Sequence, residues 1–311
     1  MNRTPVYLQL YNTNKLSERV QEALDLLRNC RACPHHCGVN RLDGATGKCH
    51  TGRWAIVSSY GPHFGEEAPL VGLHGSGTIF FANCNLKCIF CQNYTISQLG
   101  EGSAVTKERL AKIMLSLQQR GCHNINLVSP THIVPQILEA IEIAVSSGLA
   151  IPLVYNSGGY DSVETLKLLE GIVDIYMPDM KYSDDRTAEK LSGVKNYTSI
   201  NRAAIKEMHR QVGDLQINEQ GIVVHGLLIR HLVLPHGLAG TESAVKFIAD
   251  EVSRNTYVNI MSQYHPCYKA FEVPELSRRL SGEEFIEAIK QAQKAGLHRL
   301  DGFLKVPANA T

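Results

Sequence analysis

Six short apolar runs end at Cys84, Ser129, Asn156, Pro178, Pro235 and Ser262, and amphipathic stretches separate most of them. Strands joined through helices pair in parallel with right-handed crossovers, so this alternation leaves few folds open. Strands are expected over 78–82, 124–128, 151–156, 172–177, 227–234 and 257–261. Helices are expected over 106–120, 133–147, 163–169, 186–191, 203–212, 242–252 and 281–295, the last capped by Ser281 and stopped by Gly296. The Asn218-Glu219-Gln220-Gly221 turn between 215–217 and 222–224 predicts a hairpin. The reading is an α/β fold, an open partial (β/α)6 barrel over residues 66–311 with a C-terminal helix. In such folds the loops at the carboxyl ends of the strands build the site.

The loop after the first run reads Cys84-Asn85-Leu86-Lys87-Cys88-Ile89-Phe90-Cys91. Three cysteines spaced C-x3-C-x2-C can bind three corners of a cubic iron–sulfur cluster, since thiolates are the soft ligands such clusters take. No fourth cysteine follows closely, which leaves one iron open. The alternative is a zinc knuckle, with His74 as fourth ligand.

Residues 1–65 form a separate N-terminal extension in this reading. Leu16, Val20, Ala23, Leu24 and Leu27 predict an amphipathic helix over 15–29 with Asn14 as its cap. Cys30, Cys33, Cys37 and Cys49 follow, spaced C-x2-C-x3-C-x11-C, with Gly38, Gly44 and Gly47 for the turns. Four thiolates close a metal site; zinc is the simpler occupant and an auxiliary 4Fe–4S cluster the other. A strand is expected over 54–60, then a turn carrying Glu66 and Glu67, which either face the site or lie in solvent.

Nine cysteines, seven of them in these two sets, point to metal chemistry in a reducing compartment rather than to disulfides. A net charge of +1 offers no basic surface for nucleic acid. No apolar run is long enough to cross a bilayer, and Met1-Asn2-Arg3-Thr4-Pro5 does not begin a signal peptide. The expected location is the cytoplasm, with no membrane partner.

The cysteine loop, with Phe90 at its aromatic position, resembles the signature of the radical S-adenosylmethionine (radical SAM) enzymes. From Cys30 to Gly302 the chain is similar to pyruvate formate-lyase activating enzyme and to its relatives with an N-terminal C-x2-C-P-x2-C-G segment. The resemblance implies a 4Fe–4S cluster on Cys84, Cys88 and Cys91, with S-adenosylmethionine bound at the open iron. Asp179-Met180-Lys181 matches the Asp-Ile-Lys motif that contacts the cofactor in the activating enzyme. Asn156-Ser157-Gly158-Gly159 takes the place of its Thr-Asn-Gly loop, His265 that of a histidine near the adenine, and Arg230 that of an arginine on the same strand. One departure stands out. Where the family carries Gly-Gly-Glu-Pro for the cofactor's amino group, this chain reads Ser129-Pro130-Thr131-His132, which leaves Ser129 and Thr131 hydroxyls and backbone carbonyls for that group.

The implied activity is reductive cleavage of S-adenosylmethionine to a 5′-deoxyadenosyl radical that abstracts hydrogen from substrate. The electron comes from an external one-electron donor. The implied substrate is a protein or peptide, the glycine of a glycyl-radical enzyme being the specific candidate. Two alternatives stand beside it: a radical SAM enzyme modifying another peptide or a small molecule, and a non-catalytic metal-binding or assembly protein.

Overall fold

The computed structural model describes residues 3–302. Met1-Asn2 and residues 303–311, at the two ends of the expected units, lie outside the described residues. The strands are β1 Ala55–His63, β2 Ser76–Phe81, β3 Ser103–Val105, β4 Ile125–Val128, β5 Leu153–Ser157, β6 Ile175–Pro178, β7 Gln216–Ile217, β8 Val223–Leu232, β9 Tyr257–Met261 and β10 Arg299–Leu300. They lie in the order β10-β9-β8-β6-β5-β4-β2-β1-β3, with β7 paired to β8. Every neighbouring pair from β2 to β9 is parallel. These are the six strands the apolar runs predict. The two antiparallel strands β1 and β3 extend the sheet beyond β2, so the barrel stays open.

Side-chain alternation divides β5, β6 and β8 between two cores. Ile79, Leu127, Tyr155, Tyr176 and Ile229 point outward into a large core shared with the surrounding helices. Val154, Ile175, Met177 and Leu228 point inward and pack on Leu70. Leu70 belongs to the short helix Ala68–Val71, where a turn is expected. Its carbonyl accepts from Asn124 Nδ2 at 2.9 Å, which places the helix at the base of the barrel, where β4 begins. Burying Leu70 completely there contributes roughly 1.5–3 kcal/mol.

The helix Lys15–Arg28 packs on the helix Val134–Ser146, and Tyr7, Leu16, Val20 and Ala23 share the outer core. Asn14 does not cap it: that residue has φ 58° and makes no side-chain capping bond. Thr106 and Ser281 cap as their sequences require, Ser281 in a full box with Glu284. The runs at 222–224 and 227–234, expected as two strands, are one continuous strand, β8. It passes through Gly226 at φ +112°, where an added Cβ would lie 2.5 Å from the Asp214 carbonyl. Glycine is the residue that lets this strand continue. Of the two lone cysteines, Cys122 is buried and Cys267 half-buried.

Candidate active site at the strand ends

Beyond β2 the chain turns at Asn83, whose φ of 67° lies in the left-handed region, and enters the cysteine loop. Three backbone bonds hold that loop. Lys87 N and Ile89 N donate to the carbonyls of Ser192 and Leu191 at 2.9 Å, and Lys269 N donates to Ile89 O at 2.8 Å. Phe90 is buried, edge-on to Tyr182 and Tyr264, and anchors the loop's apolar side. His74 precedes β2 and pairs with His123, at the opposite end of the strand from the cysteines. The zinc knuckle closed by His74 is therefore not formed.

Each sulfur already has a polar partner. Cys84 Sγ accepts from Leu86 N at 3.4 Å, Cys88 Sγ lies 2.9 Å from Ser192 Oγ, and Cys91 Sγ lies 3.1 Å from Ser97 Oγ. Burial pushes the Cys88 thiol up to about 12, with the Lys181 ammonium working against it. Burial raises Cys84 as well. Among the described residues, no three His, Cys, Asp or Glu side chains converge where one ion could sit. A cubane asks for no such convergence, because each thiolate binds a different iron. Three thiols on a fixed loop, with donors aimed at their sulfurs and a cation beside them, fit that ligand set.

The next layer is built from β5, β6 and β8. Arg230 Nε donates to Asp179 Oδ1 at 2.8 Å, and Arg230 Nη2 to Asn156 Oδ1 at 2.7 Å. Lys181 pairs with the other Asp179 oxygen. Burial opposes the Asp179 charge, but Arg230 and Lys181 outweigh it and hold the carboxyl below its ordinary value. Burial likewise opposes the Lys181 charge, and Asp179 outweighs it and raises the ammonium. Glu66 Oε2 approaches Arg230 Nη1 at 3.7 Å. The side chains of Arg230, Lys181, Asp179 and Glu66 keep 17%, 17%, 12% and 9% exposure while the barrel wall surrounds them, so they line an opening. Burial raises the Glu66 carboxyl, and Arg230 works against that rise.

Two expectations change at the neighbouring loops. Thr131 and Ser157 do stand at strand ends, but both donate to buried Asp161, at 2.6 and 2.7 Å, and Tyr155 OH joins them at 2.8 Å. Their hydroxyl protons are committed to that carboxylate, and lone pairs are what remain for a ligand. Ser129 keeps its place with φ 60°, a left-handed backbone that costs a non-glycine residue on the order of 1 kcal/mol. His265 is half-buried beside the cysteine loop, its Nδ1 3.2 Å from Gln92 Nε2.

The sequence reading missed Asp161, although it closes the Asn156–Asp161 loop. It also missed Tyr197 and Asn201, which reach from the helix Tyr197–Val212. Tyr197 OH accepts from Lys181 N at 2.9 Å, and Asn201 Nδ2 donates to the carbonyls of Gly159 and Asp179. Inside the barrel, Glu67 Oε1 accepts from Asn259 Nδ2 at 2.9 Å. Glu67 Oε2 and both amide atoms of Asn126 are buried without a partner among the described residues. Unpaired polar atoms on an inner wall are where a ligand or water belongs.

A family model described as the radical SAM superfamily matches residues 78–231, from β2 through β8. An uncharacterized protein of Methanocaldococcus jannaschii is 36% identical over 300 residues, covering 93% of this chain and 82% of that one. The chain belongs to the radical SAM superfamily. A second uncharacterized protein of the same organism is 24% identical over 286 residues, covering 84% of this chain and 79% of that one. Among solved structures, a radical SAM methyltransferase from Sphaerobacter thermophilus superposes with a TM-score of 0.50 at 13% identity. That match covers 71% of this chain and 64% of the methyltransferase, and it shows the shared fold. Members of the radical SAM superfamily are generally enzymes that use a 4Fe–4S cluster and S-adenosylmethionine. No helix among the described residues is long and apolar enough to cross a membrane.

Proposed function

We propose that this radical SAM enzyme acts on a protein or peptide, with the glycine of a glycyl-radical enzyme as its target. The observation that carries the cofactor half of this reading is the Asp179–Lys181–Arg230 network, whose Lys181 ammonium acts on Cys88 and Cys84 of the cysteine loop. A protein that merely stores metal has no use for it. The similarity to activating enzymes carries the substrate half.

Cys84, Cys88 and Cys91 would hold the 4Fe–4S cluster, and S-adenosylmethionine would lie across the ends of β4, β5, β6 and β9. When bound, the pair supplies one-electron cleavage of a sulfonium and a carbon radical able to abstract hydrogen. The chain's own residues bind and orient. Lys181 offers its ammonium to a carboxylate, and Asp179, held ionised by two cations, accepts from ribose hydroxyls. Asn156, Ser157 and Gly158 bring β5 close to the ligand, and His265 stands at the adenine side. Ser129 and Thr131 offer acceptors to the amino group. Glu66 is the carboxylate available for an ammonium, since 129–132 contains none. The aromatic packing of Phe90, Tyr182 and Tyr264 keeps water from the apolar side of the loop. An external donor supplies the electron, and the expected compartment is the cytoplasm.

The test is anaerobic. Protein reconstituted with iron and sulfide is reduced, given S-adenosylmethionine and assayed for 5′-deoxyadenosine, with Cys88→Ala alongside. The expected product appears with wild type alone. A peptide carrying dideuterated glycine should then pass deuterium into it. A full, reducible cluster whose spectrum ignores S-adenosylmethionine, with no product, would leave the metal-binding alternative. Product without deuterium transfer would turn the substrate reading toward another peptide or a small molecule.

A further inference from the structure

Arg41 lies in the loop between Cys37 and Cys49 and is 1% exposed. Its Nη1 donates to the His132 carbonyl at 2.6 Å, and its Nε and Nη2 both donate to the Gly52 carbonyl at 3.2 Å. The same Nη1 lies 3.9 Å from Cys30 Sγ. None of these partners is a carboxylate. A buried guanidinium with no anion beside it carries a desolvation penalty of several kcal/mol, and backbone carbonyls offset part of that. The group beside it able to carry negative charge is Cys30, a member of the four-cysteine set. Cys30, Cys33 and Cys49 are buried and Cys37 is half-buried, and Cys33 lies close enough to the other three for their charges to act on it. Four neutral thiols would leave Arg41 uncompensated. Four thiolates around zinc(II), or around a 4Fe–4S core of charge +2, carry a net charge of about −2.

The surrounding contacts show where such a centre would act. His35 Nε2 is 2.7 Å from the Asn85 carbonyl inside the radical-site loop, and Asn83 Nδ2 donates to Thr51 Oγ1 at 3.1 Å. With the Arg41–His132 bond, the extension touches the loop after β2 and the loop after β4. Gly47 permits the close return of the chain, since a Cβ there would lie 2.6 Å from Cys37 Sγ.

We propose that Cys30, Cys33, Cys37 and Cys49 bind a second, negatively charged metal–tetrathiolate centre whose buried counter-ion is Arg41, and that this centre braces the loops after β2 and β4. The inference does not rest on radical chemistry. A single zinc would have to draw the four sulfurs together, whereas a cubane takes each thiolate on a different iron. Both occupants share the thiolate chemistry and the charge.

The test uses the full chain with Cys84, Cys88 and Cys91 all replaced by alanine, purified anaerobically. Folding is checked by circular dichroism, and zinc, iron and acid-labile sulfide are counted. The expected result is one zinc per chain, or about four iron with matching sulfide, and the count names the occupant. A folded chain carrying no stoichiometric metal, even after reconstitution, would overturn the proposal. Failure of the wild type to cleave S-adenosylmethionine would leave it standing. In the same background Arg41→Gln should release the metal to a chelator about 10–100-fold faster, as loss of a supporting partner does, and Arg41→Lys should recover part of that. Equal retention in all three would refute the counter-ion role. If Arg41→Gln does not fold, the Lys variant against the parent decides: unaltered metal affinity together with unaltered potential or zinc-site spectrum rejects the role.

Discussion

Arg230 on β8 reaches Asp179, one residue past β6, with 2.8 Å between Nε and Oδ1, and so ties together two strands whose side chains line the proposed cofactor chamber. Lys181 shares the same carboxylate. Asp179→Ala would leave two buried cations facing each other, and we expect a loss of about 3 kcal/mol in urea unfolding. Asp179→Ala combined with Arg230→Met should recover part of the loss. Both variants should bind S-adenosylmethionine more weakly with the cluster fully loaded, as read from the cluster's spectrum.

Gly159 has φ +75°, and a Cβ there would fall 2.0 Å from the Asp179 carbonyl and 2.3 Å from Asn201 Nδ2. Gly159→Ala is expected to displace the β6 loop, destabilising by more than about 3 kcal/mol and abolishing cofactor binding. Gly148→Ala is the control. It also has positive φ, +94°, but faces open space, so it should cost about 1 kcal/mol and leave binding intact. Thermal midpoints of the two variants measure the difference.

Tyr182 OH lies 2.6 Å from Ser192 Oγ, which lies 2.9 Å from Cys88 Sγ. Once Cys88 is a metal-bound thiolate it can only accept, so Ser192 donates to it and accepts from Tyr182. A hydrogen bond to a cluster sulfur stabilises the more negative, reduced state. Ser192→Ala should therefore lower the reduction potential, and Ser97→Ala, at Cys91, should do the same. Redox titration followed by electron paramagnetic resonance gives the sign; an upward shift in both would refute the donor assignment.

His231 is buried between the Met180 carbonyl and Thr241 Oγ1, and burial lowers its pKa to about 4. The unfolded chain takes up this proton near pH 6.5 and the native chain does not. The stability His231 contributes is thus full above pH 6.5 and falls as pH drops toward 4, by roughly 3 kcal/mol in all. His231→Gln should flatten the slope of unfolding free energy against pH by about one proton in that window. Denaturant titrations at several pH values measure it.

The parallel strands were legible because each is a compact apolar run closed by a polar turn, and a buried parallel strand leaves that trace in a linear sequence. The cysteine loop and Asp179-Met180-Lys181 were legible because the ligands lie close together along the chain. What escaped detection depends on distance. Gly226 reads as a break between strands, and contact with Asp214 makes it a point of passage within one. Thr131 and Ser157 read as free hydroxyls until Asp161 is seen to hold both. Tyr197 and Asn201 look like ordinary helix residues, since nothing local shows that they face two strand-end loops. Arg41 reads as one more loop arginine, and burial alone makes its missing carboxylate conspicuous.

The backbone of the cysteine loop is held by hydrogen bonds to the Ser192, Leu191 and Lys269 main chain, none of which uses a cysteine sulfur. Its conformational entropy is therefore lost when the barrel folds rather than when the cluster arrives. In small zinc domains the free energy of metal binding is the free energy of folding. Here the two are separable at the radical site. A chelator should be able to empty the loop and leave a folded receptacle, so loading becomes a step of delivery and ligand exchange, with no refolding in between.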